Sequence, residues 1–274
     1  MSPLKRIVCL ANSWKHQERC IAGIDLDTGK WVRPVCDQLY PEDGRIPEEV
    51  RLINDREPQL LEILEIPLAD TGNNFGFESE NLSILPGKWR SIGYCLPADL
   101  FRFCSQEQWM LHNNSKNVLP SYLKGLPPAE RQTLQLVKLK EFRVSRSGHT
   151  WKAKISINHD VFLESLSITD PVLASRLDEG YKPIQTCFAT LSLSMPWAYP
   201  DWQGEIPCWK LIAGFIPNLF PPIGEEMQRV GWSPDTGRNF IRRRFGQGKQ
   251  SLRQLTLAEL QQFLDHLKPL PSVQ

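Results

Sequence analysis

Three short apolar runs crowded into the first 34 residues constrain the fold more than any other feature. Residues 7–10, residues 20–24 and a run beginning at Trp31-Val32 are separated by polar or turn-forming residues. Asp27-Thr28-Gly29 can close a tight hairpin between the second and third runs, because Gly29 tolerates positive φ. The connection between the first two runs is polar, with Asn12, Ser13, Lys15, His16 and Arg19. Three strands of a small β-barrel account for this spacing. Positive charge and amide donors then gather where such a barrel presents a ligand face.

Downstream, 22 prolines in 274 residues disfavour a mostly helical chain and suit short strands joined by fixed loops. Residues 36–57 read as a loop with a short helix near residues 48–52. Residues 60–68 read as a strand, although Glu62 and Glu65 stand three apart and cannot both face solvent on a regular strand. A helix is the competing assignment there, and Pro67 weakens it. Short strands are expected at residues 81–85 and 90–95, and Pro97 opens a helix. Residues 105–132 bridge two halves. Residues 133–144 then alternate as a strand, and residues 151–157 place Lys152, Lys154 and Ser156 on one face. Residues 161–168 form another strand, Asp170 or Thr169 caps a short helix from Pro171, and two more apolar runs follow at residues 187–193 and 209–215. About five strands and one helix from Thr133 onward suit a second small barrel.

The character changes after residue 222. Ser233 and Pro234 read as the N-cap and first turn of a helix ending at Gly246, and Thr256-Leu257-Ala258-Glu259 is a capping box opening another. Residues 225–274 hold eight basic and five acidic side chains, whereas the first 224 residues hold 24 and 26, so the basic surplus lies in the tail.

Residues 10–13 (LANS), Lys15, residues 19–24 (RCIAGI) and residues 29–34 (GKWVRP) resemble the opening signature of the dual OB-containing domain family. Residues 58–63, 121–124, 169–172 and 210–213 continue the pattern. The resemblance implies a mainly β fold with some α: two tandem OB-like β-barrels, here followed by a small C-terminal helical domain. The expected boundaries are residues 1–132 for the first barrel with its connecting segment, 133–222 for the second, and 223–274 for the basic helices. The resemblance also implies nucleic-acid binding in prokaryotic defence or mobile-element systems.

Candidate contacts fall in three groups. Asn12, Lys15, Arg19, Lys30, Trp31 and Arg33 can track a single strand of DNA or RNA, while a core role for Trp31 and an ion pair for Arg33 are the alternatives. Trp151, Lys152 and Lys154 either line a groove of the second barrel or form a wet strand face, and residues 197–202, with Trp197, Tyr199 and Trp202, either stack bases or cover a barrel end. Arg238, Arg242, Arg243, Arg244 and Lys249 either neutralise phosphates or form a solvated helix face. If the arginines at 242–244 are buried or paired, the tail instead suits a protein partner, and OB-like barrels also accommodate small ligands.

Catalysis finds little support. His159-Asp160 is an isolated His–acid pair, and neither a Walker-type loop nor a GxSxG elbow occurs. Seven cysteines without CxxC spacing read as reduced, buried thiols of a cytoplasmic protein. The sequence therefore predicts a binding protein with no cofactor, metal or membrane span.

Overall fold

The computed structural model describes residues 3–157 and 162–273. It is mainly β, with two sheets and C-terminal helices. The expected pair His159-Asp160 and the start of the strand expected at 161 lie outside the described residues.

The first lobe begins with β1 (Leu4–Lys15), β2 (Glu18–Asp25) and β3 (Trp31–Val35). The expected polar connection between the first two strands is in fact mostly strand. Asn12 and Ser13 pair with Ile21 and Cys20, so only His16 and Gln17 remain to turn the chain. Both take positive φ, 47° and 69°, the geometry a two-residue hairpin needs to match strand twist. The second hairpin is as expected, with Gly29 at φ 70°. After α1 (Glu48–Arg51) come β4 (Glu62–Pro67), β5 (Asn81–Ser83) and β6 (Arg90–Tyr94). The strand order is β5-β3-β2-β1-β4-β6, with β3 and β5 parallel. The ladder is open, although a single bridge, Leu68 to Ile84, brings the end of β4 against β5. The three-residue spacing of Glu62 and Glu65 resolves simply. Glu62 points inward with Leu64 and Ile66, and Arg56 pairs with its buried carboxylate.

The helix expected from Pro97 is a short 3₁₀ helix, Pro97–Arg102. In the connecting segment, β7 (Asn117–Val118) and α2 (Pro120–Gly125) lie against the second lobe. Met110, Leu111, Val118 and Leu123 join its core with Phe142, Leu191 and Ile212.

The single strand expected over residues 133–144 is divided at Lys140 into β8 (Leu134–Leu139) and β9 (Glu141–Ser147). The Lys140 amide donates to Ser156 O, so the chain bends there and pairs on both sides. Next come β10 (Thr150–Ser156), β11 (Phe162–Ile168), α3 (Pro171–Asp178), β12 (Cys187–Leu193) and β13 (Cys208–Pro217). The order β8-β12-β13-β11-β10-β9 ends on two lengths of one bent chain, and β11 runs parallel to β13. A bent first strand, a parallel third–fifth pairing and a helix before the fourth strand are OB-like features. Asp170 caps α3 as expected, its Oδ1 accepting from Val172 and Leu173 N–H. The other carboxylate oxygen accepts from Phe215 N–H, tying the cap to β13.

The lobes share a buried seam. Val8, Leu10 and Ile24 pack with Leu136, Phe188 and Ile216. Thr190 Oγ1 donates to Leu10 O at 2.6 Å, and Trp14 N–H donates to Thr169 O at 2.9 Å. Gly214 sits where β13 crosses β1, and a Cβ there would lie 2.2 Å from Leu10 O.

The tail forms α4 (Phe220–Arg229), α5 (Pro234–Phe245) and α6 (Leu257–Leu267). The Ser233 cap and the Thr256–Glu259 capping box are as expected. Ile223, Ile241, Leu260 and Phe263 make its core, and Arg229 donates to the carbonyls of Leu267 and Leu270, closing the end of α6. No helix among the described residues is long and apolar enough to cross a membrane.

Candidate nucleic-acid interface

A cleft of about 630 Å³ opens where the β1–β2 turn of the first lobe faces β11, β12 and β13 of the second. Its basic lining is Lys15, His16, Lys116, Lys152 and Lys210, and no Asp or Glu among the described residues lines it. Trp14, Trp197, Tyr199 and Trp209 supply aromatic surface, and serines, among them Ser165, Ser167, Ser192 and Ser194, supply hydroxyls.

Local structure explains how these side chains converge. The turn at His16-Gln17 brings Lys15 to the rim of the cleft, with its Nζ donating to Asp43 O at 2.5 Å outside the lining. A register shift between β10 and β11 accompanies Ser165 at φ 59°, which turns it toward the cleft. The face predicted for residues 151–157 breaks here. Lys152 reaches the cleft, its Nζ donating to Ser167 Oγ at 2.6 Å, whereas Ser156 is buried. Lys210 is only 1% exposed and donates to Asn113 O at 2.6 Å and to Asn113 Oδ1 at 2.8 Å. Burial pulls its ammonium down to a pKa of about 7. Burial, helped by Lys116, also lowers that of Lys152.

Trp209 is held by a hydrogen bond from its Nε1 to Trp197 O at 2.6 Å, and Lys116 Nζ stands 5.3 Å from its ring centre. Trp197 and Tyr199 meet edge to face with centroids 4.7 Å apart, and both are more than half exposed. Exposed aromatic rings beside unpaired ammonium groups make a surface for flat, anionic ligands.

Of the residues singled out in sequence, Lys15 and Lys152 enter this cleft, with Trp197 and Tyr199 from the loop at 197–202. The others lie elsewhere. Asn12 is within β1, its Nδ2 donating to Pro58 O. Arg19 stacks 3.8 Å above the Trp14 ring and pairs with Glu57. Lys30 and Trp31 line a separate hollow shared with Glu80, Glu107 and Glu130, whose carboxylates oppose an anion. Arg33 must be corrected as a ligand contact. It is 2% exposed, salt-bridged to Glu78 at 2.6 Å and Glu80 at 3.1 Å, and bonded to Thr133. Trp151 donates to Asp178 and Lys154 pairs with Glu164, both away from the cleft. Cys20, read as core, is half-buried and lines the cleft.

In the tail, Arg238 pairs loosely with Asp235 at 3.5 Å, Arg242 donates to Gln250, and Lys249 pairs with Glu259. Arg243 and Arg244 are exposed and have no ion pair among the described residues. Sequence reasoning did not single out Lys116, Lys210 or Trp209 as contacts. Lys210 stood out only as the first residue of the family pattern at 210–213 and as a lysine interrupting the apolar run WKLIAGF.

The family model for a dual OB-containing domain matches residues 5–215. The chain belongs to this family. In this dual OB protein the match ends within β13, so the three tail helices lie beyond the matched region. Among solved structures, a murine DNA-binding protein bound with double-stranded DNA is 8% identical with a TM-score of 0.29, over 79% of this chain and 99% of that one. The p204 HINb domain is 9% identical with a TM-score of 0.27, over 77% and 97%. Likeness at that level carries no role across. No curated protein matches the chain.

Proposed function

We propose that this dual OB protein binds nucleic acid in the cleft between its lobes, taking one or two nucleotides of single-stranded DNA or RNA. The observation that supports this most is a lining of lysines, serines and exposed aromatic rings, without a carboxylate among the described residues. Bases would stack on Trp197, Tyr199 and Trp209, and phosphates would meet the ammonium groups. The volume suits a small ligand rather than a duplex, falling in the roughly 300–1,000 Å³ range of enclosed ligand sites. The exposed Arg243 and Arg244 would add phosphate contacts from the tail; their exposure disfavours the alternative of a protein partner docking on salt-paired arginines. The proposed setting is a prokaryotic defence or mobile-element system, testable by deleting the gene from such a system and scoring phage plating. The protein is read as a binder and not an enzyme, so breakdown of a bound strand, seen on a gel, would contradict this part.

Fluorescence anisotropy with labelled single strands tests the binding. Trp197→Ala and Tyr199→Ala are each expected to weaken affinity about tenfold, in line with roughly 1–3 kcal/mol per stacked base. Arg243→Ala with Arg244→Ala is expected to lower the salt slope by about one to two without abolishing binding. Unchanged affinity in both cleft variants would overturn the assignment of the site.

A further inference from the structure

The two sides of α5 do different things. Its inner side holds the tail together. Ile241 joins the core, and the Phe240 ring stacks on Phe263 and His266 with centroids 5.0 and 4.4 Å away. Gly237 lets α5 lie so close to α4 that a Cβ there would stand 2.7 Å from Met227 Cε. On the outer side, Asp235, Arg238, Asn239 and Arg242 recur at spacings of three, four and seven residues and so share one face, with Arg243 flanking it. Arg242 is half-buried and the other four are exposed. Asp235 is the only acid between residues 234 and 253, against six basic residues. Such a face complements a dense row of negative charge.

Shape and chemistry narrow the ligand further. α5 has 12 residues, about 18 Å of helix, enough to cross a B-DNA major groove about 12 Å wide. It follows α4 after only four residues, 230–233, with Gly231 at φ 68° and Ser233 as the N-cap. A short glycine turn of this kind sets the second helix of a DNA-reading pair into that groove. The outer face carries the side chains that pair with base edges there, an asparagine for adenine and arginines for guanine. Asp235, 3.5 Å from Arg238, is placed to orient that guanidinium. Duplex RNA fits poorly, because its major groove is deep and narrow. Unpaired bases find no stacking platform, since Trp232, Phe240 and Phe245 are half-buried against one another and α6. The geometry points to a second nucleic-acid site, in which α5 enters the major groove of double-stranded DNA. Arg238, Asn239 and Arg242 meet base edges, and Arg243 meets a flanking phosphate. This site is separate from the cleft and takes a different form of nucleic acid, so it stands or falls independently of the single-strand reading.

Fluorescence anisotropy on the full chain tests it, with a short DNA duplex, the RNA duplex of the same sequence and the single DNA strand. The DNA duplex is expected to bind at least about tenfold more tightly than the RNA duplex. Arg238→Ala with Arg242→Ala is expected to weaken duplex-DNA binding at least about tenfold without changing thermal unfolding, whereas Trp197→Ala in the cleft is expected to leave duplex binding as it was. Selection from a randomised duplex pool is expected to yield a preferred short sequence, and Asn239→Ala to relax the preference for adenine at one position. Equal affinity for the two duplexes, or a pool with no preferred sequence, would overturn the inference, because phosphate contacts alone carry no base information. Duplex binding lost in Trp197→Ala and kept in the arginine double variant would also overturn it, by placing the duplex in the cleft. Single-strand binding with no duplex binding would overturn it and leave the cleft reading standing. Duplex binding with no single-strand binding would uphold it and overturn the cleft reading.

Discussion

Arg33→Ala is expected to destabilise the protein by about 3–5 kcal/mol, read as a shift of the urea midpoint, because it strands two buried carboxylates. Glu78 and Glu80 are both nearly inaccessible and both face the guanidinium. The same group donates to Asn81 Oδ1 and Thr133 Oγ1, so it joins β3, the start of β5 and the residue just before β8. Removing the cation breaks the balance on all sides at once. Replacing all three charges with methionine, as R33M with E78M and E80M, is expected to recover much of the loss, since a dry apolar cluster of similar volume carries no stranded charge. If Arg33→Ala were as stable as the natural chain, the cluster would not be holding the lobes as described.

Gly214→Ala is expected to lower stability by about 3 kcal/mol and to weaken ligand binding together with it. The added Cβ would stand 2.2 Å from Leu10 O and 3.2 Å from its carbonyl carbon, both main-chain atoms that cannot rotate aside. β1 and β13 must then separate. Further along the same strands, β1 carries Trp14 and Lys15 and β13 carries Trp209 and Lys210, so a clash at the crossing displaces the two sides of the cleft. Gly248→Ala is the matched control. Nothing lies within 4 Å of its added Cβ, and it is expected to stay within about 0.5 kcal/mol of the natural chain. Chemical denaturation and oligonucleotide titration on both variants check the two effects. Full stability in Gly214→Ala would show that the lobes are less closely joined than the structure indicates.

Features encoded by neighbouring residues were legible in the sequence. Gly29 marked its hairpin, and Asp170, Ser233 and Thr256 marked helix starts, because a cap or turn is built within four residues. The family signature identified the two-lobed β architecture for the same reason, as a set of short strings at fixed places. What was not legible depended on residues far apart in sequence. Arg33 was read as a ligand contact because its acids lie 45 and 47 positions away, beyond any local pattern. The strand over residues 133–144 looked continuous because alternation says nothing of the bend at Lys140, which arises from pairing with β10 on one side and β12 on the other. The turn at His16-Gln17 was hidden because neither residue is a usual choice for positive φ. Lys210 looked like part of an apolar run, because the residue that satisfies its buried ammonium, Asn113, lies 97 positions away. The cleft thus draws its groups from the first hairpin, the connecting segment and five strands of the second lobe.

Photocrosslinking tests the central claim most directly. A short single strand carrying 5-iodouracil at its terminal positions is irradiated with the full-length protein, and the modified residues are mapped by mass spectrometry. Crosslinks at Trp197, Tyr199 or Trp209, lost on competition with the unlabelled strand, are the predicted result. Crosslinks confined to the helical tail or to the hollow beside Trp31, with none in the cleft, would contradict it.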